Sequence, residues 1–204
     1  MNSAEKHNGS RTAKQKNLRA LVETAILVAV GFVLSYITMF KMPQGGSITP
    51  LSMLPILLIG LRHRLKWGLG GGLIYACLQM IQQFYPPPEA DVTAIVALAR
   101  YGAVAVLDYI AAFTVLGLSA ILKGKRYGLL YAAPTCLFLR FICHFVAGIV
   151  IWGVYAGDQP VWIFSLIYNG SYMGVEMIFT TVVSAILCYT APVLFTYKLD
   201  MQKS

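Results

Sequence analysis

Six apolar stretches separated by short polar or turn-forming segments fill nearly the whole chain: residues 20–40, 48–61, 67–84, 92–122, 128–156 and 161–196. Crossing about 30 Å of hydrocarbon takes roughly 20 helical residues. The pattern therefore predicts an all-α integral membrane protein, a bundle of six transmembrane helices. The second stretch is short for a straight crossing and carries Pro55 near its middle, which predicts a kinked or partly inserted helix. The chain divides into a basic tail over 1–19, expected to be disordered, a membrane domain over 20–196 and a second tail over 197–204. The first stretch runs on without a small-residue cleavage pattern, so it reads as a mature helix and not a removable signal.

Composition agrees: of 204 residues 58% are hydrophobic and 12% charged, about half the charged fraction of soluble domains. The net charge of +8 adds topology. Lys6, Arg11, Lys14, Lys16 and Arg19 precede the first stretch, Arg62, Arg64 and Lys66 join the second to the third, Lys123, Lys125 and Arg126 join the fourth to the fifth, and Lys198 and Lys203 follow the sixth. The opposite connections hold Lys41 alone among basic residues, with Glu89, Asp91 and Asp158. Cytoplasmic segments collect Lys and Arg, so both termini are expected in the cytoplasm. The positive charge then serves topology and anionic headgroups, not nucleic acid.

Ionisable groups in hydrocarbon cost at least about 2.5–3.5 kcal/mol each, so their placement needs a reason. Asp108, Arg140, His144 and Glu176 lie within spans, and Arg100 somewhat closer to the outer surface. Two explanations compete: a ligand site, or ion pairs such as Asp108 with Arg140 and Glu176 with Arg100 that lock helices together. Arg140 and His144 stand one turn apart, with Trp152 two turns further on, nearer the surface. Asn169 precedes Glu176 by seven residues on nearly the same face, and its amide has the donors and acceptor to read a heterocycle edge. Tyr75, Tyr85, Trp152, Trp162, Phe164 and Tyr168 supply flat rings, which hold planar or cationic ligands by stacking and cation–π attraction. An interfacial aromatic belt is the alternative, and it is preferred for Trp162. Ala25 and Ala29, four apart in the first stretch, allow close helix approach within the bundle or against a partner.

Enzyme signatures are absent: there is no GxxxxGK[ST] loop, HExxH helix or GxSxG elbow. The scattered His7, His63 and His144 form no metal cluster, and Cys77, Cys136, Cys143 and Cys188 form no CxxC pair, so free packed thiols are expected. Without a Walker motif, any active transport must draw energy from a partner or an ion gradient.

Taken in order, LVETAILVAVGFVLSYI, KMPQGGSITPLSMLPILLIGLRHRLKWGLGGGLIYACLQ, LDYIAAFTVLGLSAIL, RFICHFVAGIVIWGVYA and FSLIYNGSYMGVE resemble the thiamine-specific S component of energy-coupling factor transporters, the ThiT or YuaJ family. The likeness runs from about residue 20 to about 190. It implies a high-affinity thiamine-binding subunit, capped by the loop between the first two helices and working in the bacterial cell membrane. It also implies a transmembrane coupling subunit and two cytoplasmic ATPases as partners, with no cofactor of its own. Ala25 and Ala29 match the family's AxxxA docking surface for the coupling subunit. Asp108 and Tyr109 match its acidic–Tyr pair, Arg140 and His144 its basic residue and His, with Gly148 and Trp152 in register, and Asn169 matches its Asn. The chain departs from some members at Gly46 and Tyr75, each in place of a Trp, and at Phe164, in place of a Tyr, which thins the aromatic cage. In this scheme Asp108 balances the thiazolium charge, Trp152, Tyr75 or Phe164 stack on the rings, and Asn169 bonds the aminopyrimidine. Arg140 and His144 bond the hydroxyethyl end or hold Asp108 ionised. An S component for another vitamin, or an ion-coupled transporter of a small heterocycle, is the competing reading.

Overall fold

The computed structural model describes residues 3–88 and 92–194, with side chains from Lys14. Glu89, Asp91, Lys198, Lys203 and the tail over 197–204 lie outside the described residues. Six helical rods follow one another: α1 (Ser3–Ser35), α2 (Leu54–Arg62), α3 (Leu65–Gln82), α4 (Ala94–Leu122), α5 (Gly128–Val150) and α6 (Val161–Thr190). Four of these segments, Lys14–Ser35, Ala94–Leu122, Gly128–Val150 and Val161–Thr190, are long and apolar enough to cross a membrane. The first rod begins at Ser3, so the basic segment carries helical backbone where disorder was expected. That segment holds no Pro, and its later part carries Ala13, Lys14, Gln15, Lys16, Leu18 and Arg19, which propagate a helix readily.

The shortest rod is the most buried. α2 is apolar on every face, and Leu54 through Leu61 are all buried, the signature of a helix surrounded by protein. At about 1.5 Å per residue its nine residues cannot cross the bilayer. Pro55 sits in the first turn of α2 and not in its middle, where its missing N–H costs nothing. The helix is therefore short, with its proline at the start and no proline kink. Around it pack Tyr75 from α3, Leu116 from α4 and Leu129 and Leu137 from α5, all essentially without solvent contact. Ser119 of α4 donates a 2.8 Å hydrogen bond to the Leu57 carbonyl, tying this inner helix to its wrapper.

The chain departs from regular helix at two places. Between α1 and α2 the chain forms a small antiparallel hairpin, β1 (Phe40–Lys41) and β2 (Ser47–Ile48), with Phe40 paired to Ile48 and Lys41 to Ser47. Gly45 and Gly46 take φ of +97° and +91° in its turn, a region open to glycine at no steric cost. The second departure is in α4, which widens into a π-helical stretch over Ala105–Ala111 and tightens to 3₁₀ over Val115–Leu122. Such widened turns recur at functional sites.

Candidate functional site

Arg140, His144 and Gly148 recur every fourth residue of α5 and so share one face. α5 ends at Val150, and the chain then turns, so Trp152 stands just beyond the helix and not within it. The turn brings its indole back toward the π-helical part of α4. There Trp152 Nε1 donates to Asp108 Oδ2 at 2.9 Å, while His144 Nδ1 lies 2.9 Å from Asp108 Oδ1. Both carboxylate oxygens are thus engaged. When Nδ1 carries the proton, His144 Nε2 is an acceptor; this atom is buried and makes no hydrogen bond.

Arg140 pairs with Glu176 and not with Asp108: Arg140 Nη1 donates to Glu176 Oε2 at 2.9 Å. The other Glu176 oxygen accepts from the Thr49 backbone N–H at 2.7 Å and from Thr49 Oγ1 at 2.8 Å. Glu176 is 2% exposed, so this ion pair is desolvated, and it locks α5 to α6 and to the chain following the hairpin. The Arg140 guanidinium also sits 4.7 Å from the centre of the Phe113 ring, and its Nε is buried without a partner. Neither ion pair weighed from the sequence forms; among the described residues no ion pair involves Arg100.

Asp108, His144, Trp152, Arg140, Thr49 and Phe113, but not Glu176, line a cavity of about 390 Å³ walled by α3 to α6 and roofed by the hairpin, within the usual size of small-molecule sites. Of the sequence candidates, Asp108, Tyr109, Arg140, His144, Gly148, Trp152, Phe164, Tyr168, Asn169 and Tyr85 all line it. Tyr75 does not. It is fully buried, edge-on to Phe113 at 5.3 Å, with its hydroxyl 3.5 Å from the Gly31 carbonyl, so it supports the wall from behind. Trp162 is exposed in the first turn of α6 and is also outside the lining.

Several lining residues hold one another. Asn169 Nδ2 donates to the His144 carbonyl at 3.2 Å and the Ser165 carbonyl at 3.1 Å, and its Oδ1 accepts from the Tyr172 hydroxyl at 3.1 Å. Those bonds need α5 and α6 in close approach, which Gly148 permits: a Cβ there would collide with Ser165 Oγ. Tyr109 donates to the Gln83 carbonyl at 2.5 Å and accepts from the Tyr85 N–H at 3.1 Å, fixing the chain that leaves α3. The hairpin turn is gripped likewise. Tyr168 accepts from the Gln44 N–H and donates to the Gly45 carbonyl, both at 2.9 Å, and the rings of Tyr85 and Tyr172 press against Gly45 and Gly46.

Sequence reasoning missed Tyr172, Thr49, Met53 and the glutamines Gln79, Gln82 and Gln83 as lining residues. Tyr172 was within reach, since it follows Tyr168 by four residues and Asn169 by three on the same helical face. Thr49 carried no local signal.

Ala25 and Ala29 are both exposed, while Thr24, Val28 and Gly31 point into the bundle. Internal packing therefore does not explain the AxxxA spacing.

The family model for "Thiamine transporter protein (Thia_YuaJ)" matches residues 21–196. The thiamine transporter ThiT of Bacillus subtilis (strain 168) is 34% identical over 196 residues, 88% of this chain and 95% of that protein. The thiamine transporter ThiT of Lacticaseibacillus paracasei is 28% identical over 203 residues, covering 91% and 94%. A solved structure of ThiT from Listeria monocytogenes superposes with a TM-score of 0.70 at 24% identity, covering 89% of this chain and 100% of that one, and so shares the fold. A multi-pass helical membrane architecture, the ordered motifs and a match across the whole membrane domain agree: the chain belongs to the thiamine transporter protein family, Thia_YuaJ.

Proposed function

We propose that this chain is a thiamine-binding S component that takes up vitamin B1 in the cavity beneath the hairpin and delivers it to an ATP-driven energy-coupling factor module. The observation that carries the ligand assignment is Asp108, a carboxylate clamped between His144 and Trp152 on the wall of a small-molecule cavity. Thiamine carries a permanent cation on its thiazolium ring. A fixed carboxylate attracts that charge, and Trp152, Phe164 and Tyr168 offer faces for the two rings. His144 Nε2 is placed to bond a polar group of the ligand. Asn169 both braces the wall and presents the remaining capacity of its Oδ1 to the aminopyrimidine. Arg140, paired to Glu176, shapes the cavity and keeps its charge compensated.

Transport in this reading is not enzymatic in the chain itself; hydrolysis belongs to two cytoplasmic ATPases joined through a coupling subunit that docks on Ala25 and Ala29. The basic connections at one end of the bundle support an orientation in the bacterial plasma membrane with both termini inside. The test is thiamine binding to the purified chain by isothermal calorimetry, beside riboflavin and biotin. We expect saturable binding of thiamine alone, weakened at least about tenfold by Asp108→Ala through loss of a charge-assisted contact. Unchanged affinity in Asp108→Ala and Asn169→Ala would rule the site out, and binding of another vitamin in place of thiamine would rule out the ligand.

A further inference from the structure

At the end of the bundle opposite the thiamine cavity lies a second, basic pocket of about 460 Å³. Lys16 stands 19 residues before Ser35 on α1, about 28 Å along the helix axis, so the two cavities are separated by roughly a bilayer core. The lining draws Lys16 and Arg19 from α1, Arg62 and Arg64 from the α2–α3 junction, Lys66 from α3, and Lys123 from the chain leaving α4. The carboxylate that touches this ring is Glu23, bonded to Arg19 at 2.7 Å and to Arg62 at 2.8 and 2.9 Å. Among the described residues Lys16, Arg64 and Lys66 stand in this lining beside the Glu23 cluster.

The pocket is built, not merely a solvated basic surface. His63 lines it and is 8% exposed, and its Nε2 makes no hydrogen bond although it lies 3.2 Å from Glu23 Oε2. Burial pushes the His63 pKa below its ordinary value, against the opposing pull of Glu23 and with Arg62 and Lys123 adding to the burial effect. Trp67 forms part of the wall, with Lys66 Nζ 5.4 Å from its ring centre. Lipid-facing residues adjoin the rim: Leu18 and Leu21 on α1, Leu65 on α3 and Ile121 on α4 are all exposed.

A basic cluster with an indole at headgroup height, opening onto apolar helix faces, matches a phosphate whose ester carries acyl chains. We infer that this pocket holds the phosphate of an anionic phospholipid, with the headgroup among Lys16, Arg64 and Lys66 and the chains along α1 and α3. The shared chemistry is a phosphate oxyanion, and the position at the membrane surface favours the lipid as its source over free phosphate.

The test uses the full chain in nanodiscs, in a Trp152→Phe/Trp162→Phe background that leaves Trp67 as the tryptophan reporter. Brominated phosphatidylglycerol is expected to quench Trp67 more than brominated phosphatidylcholine at equal mole fraction. The Lys16→Gln/Arg64→Gln variant is expected to need roughly fivefold more anionic lipid per charge removed for half-quenching. Lys125→Gln/Arg126→Gln, which removes equal charge beside the pocket, is expected to leave the curve unmoved. Equal quenching by both lipids would overturn the inference, as would equal loss in the two variants. Saturation by inorganic phosphate at constant ionic strength, abolishing the preference for phosphatidylglycerol, would assign the pocket to a soluble anion instead.

Discussion

Asp108 illustrates what a single residue can and cannot disclose. That a carboxylate in the middle of an apolar span has work to do was legible from the sequence, because its insertion is costly. Its partners were only half legible. His144 and Trp152 stand out in the sequence, but pairing depends on helix rotation and depth, and Arg140, an equally plausible cation by sequence, turns to Glu176 instead. Trp152→Phe keeps the aromatic face and deletes the Nε1 donor, so calorimetry is expected to show thiamine affinity reduced about tenfold or more, the value of a hydrogen bond to a charged acceptor. The Arg140–Glu176 pair predicts a different pattern. Glu176→Gln strands a buried guanidinium and is expected to cost about 3–5 kcal/mol, lowering the melting temperature in detergent, whereas Arg140→Met/Glu176→Leu is expected to recover much of that loss.

At the scale of elements, the six apolar stretches foretold six rods with boundaries mostly displaced by a few residues, because hydrocarbon thickness leaves a plain length signal. What the stretches hid is informative. The Pro55 helix is a buried plug, the connection before it is a hairpin, and α4 changes its pitch where Asp108 and Tyr109 emerge. None of these has a hydropathy signature: two-residue strands are too short for alternation, and a π turn costs only local geometry. Gly148 was legible only through resemblance, yet its role is physical, since its missing side chain lets α5 and α6 close enough for Asn169 to bond the His144 carbonyl. Gly148→Val is expected to force the two helices apart, lowering the melting temperature and weakening thiamine binding at least about tenfold. A variant with unaltered affinity would show that the two helices tolerate separation at this level.

The molecule as a whole presents two ends and a flank. One end holds the cavity under its cap, the other the basic pocket, and the flank of α1 shows Ala25 and Ala29 to the outside. On the proposed function, binding and energised uptake are therefore expected to be separable. Ala25→Leu/Ala29→Leu adds bulk only on the exposed flank, so thiamine affinity of the isolated chain is expected to stay within about twofold while uptake in cells carrying the coupling module falls to background. Loss of binding in that variant would contradict the assignment of the flank to a partner.

The tyrosine grip on the hairpin has a kinetic meaning. Tyr168 and Tyr172 belong to α6, and Thr49, just past the second strand, is bonded to Glu176 of the same helix. The roof is thus latched chiefly to one post while its covalent ends belong to α1 and α2, so on the proposed function the vitamin's residence time is expected to follow how often those few bonds to α6 release together. Tyr168→Phe keeps the ring and removes only the latch. In stopped-flow experiments it is expected to speed thiamine escape several-fold with entry barely altered, making the hydroxyl of Tyr168 a timer for the journey across the membrane.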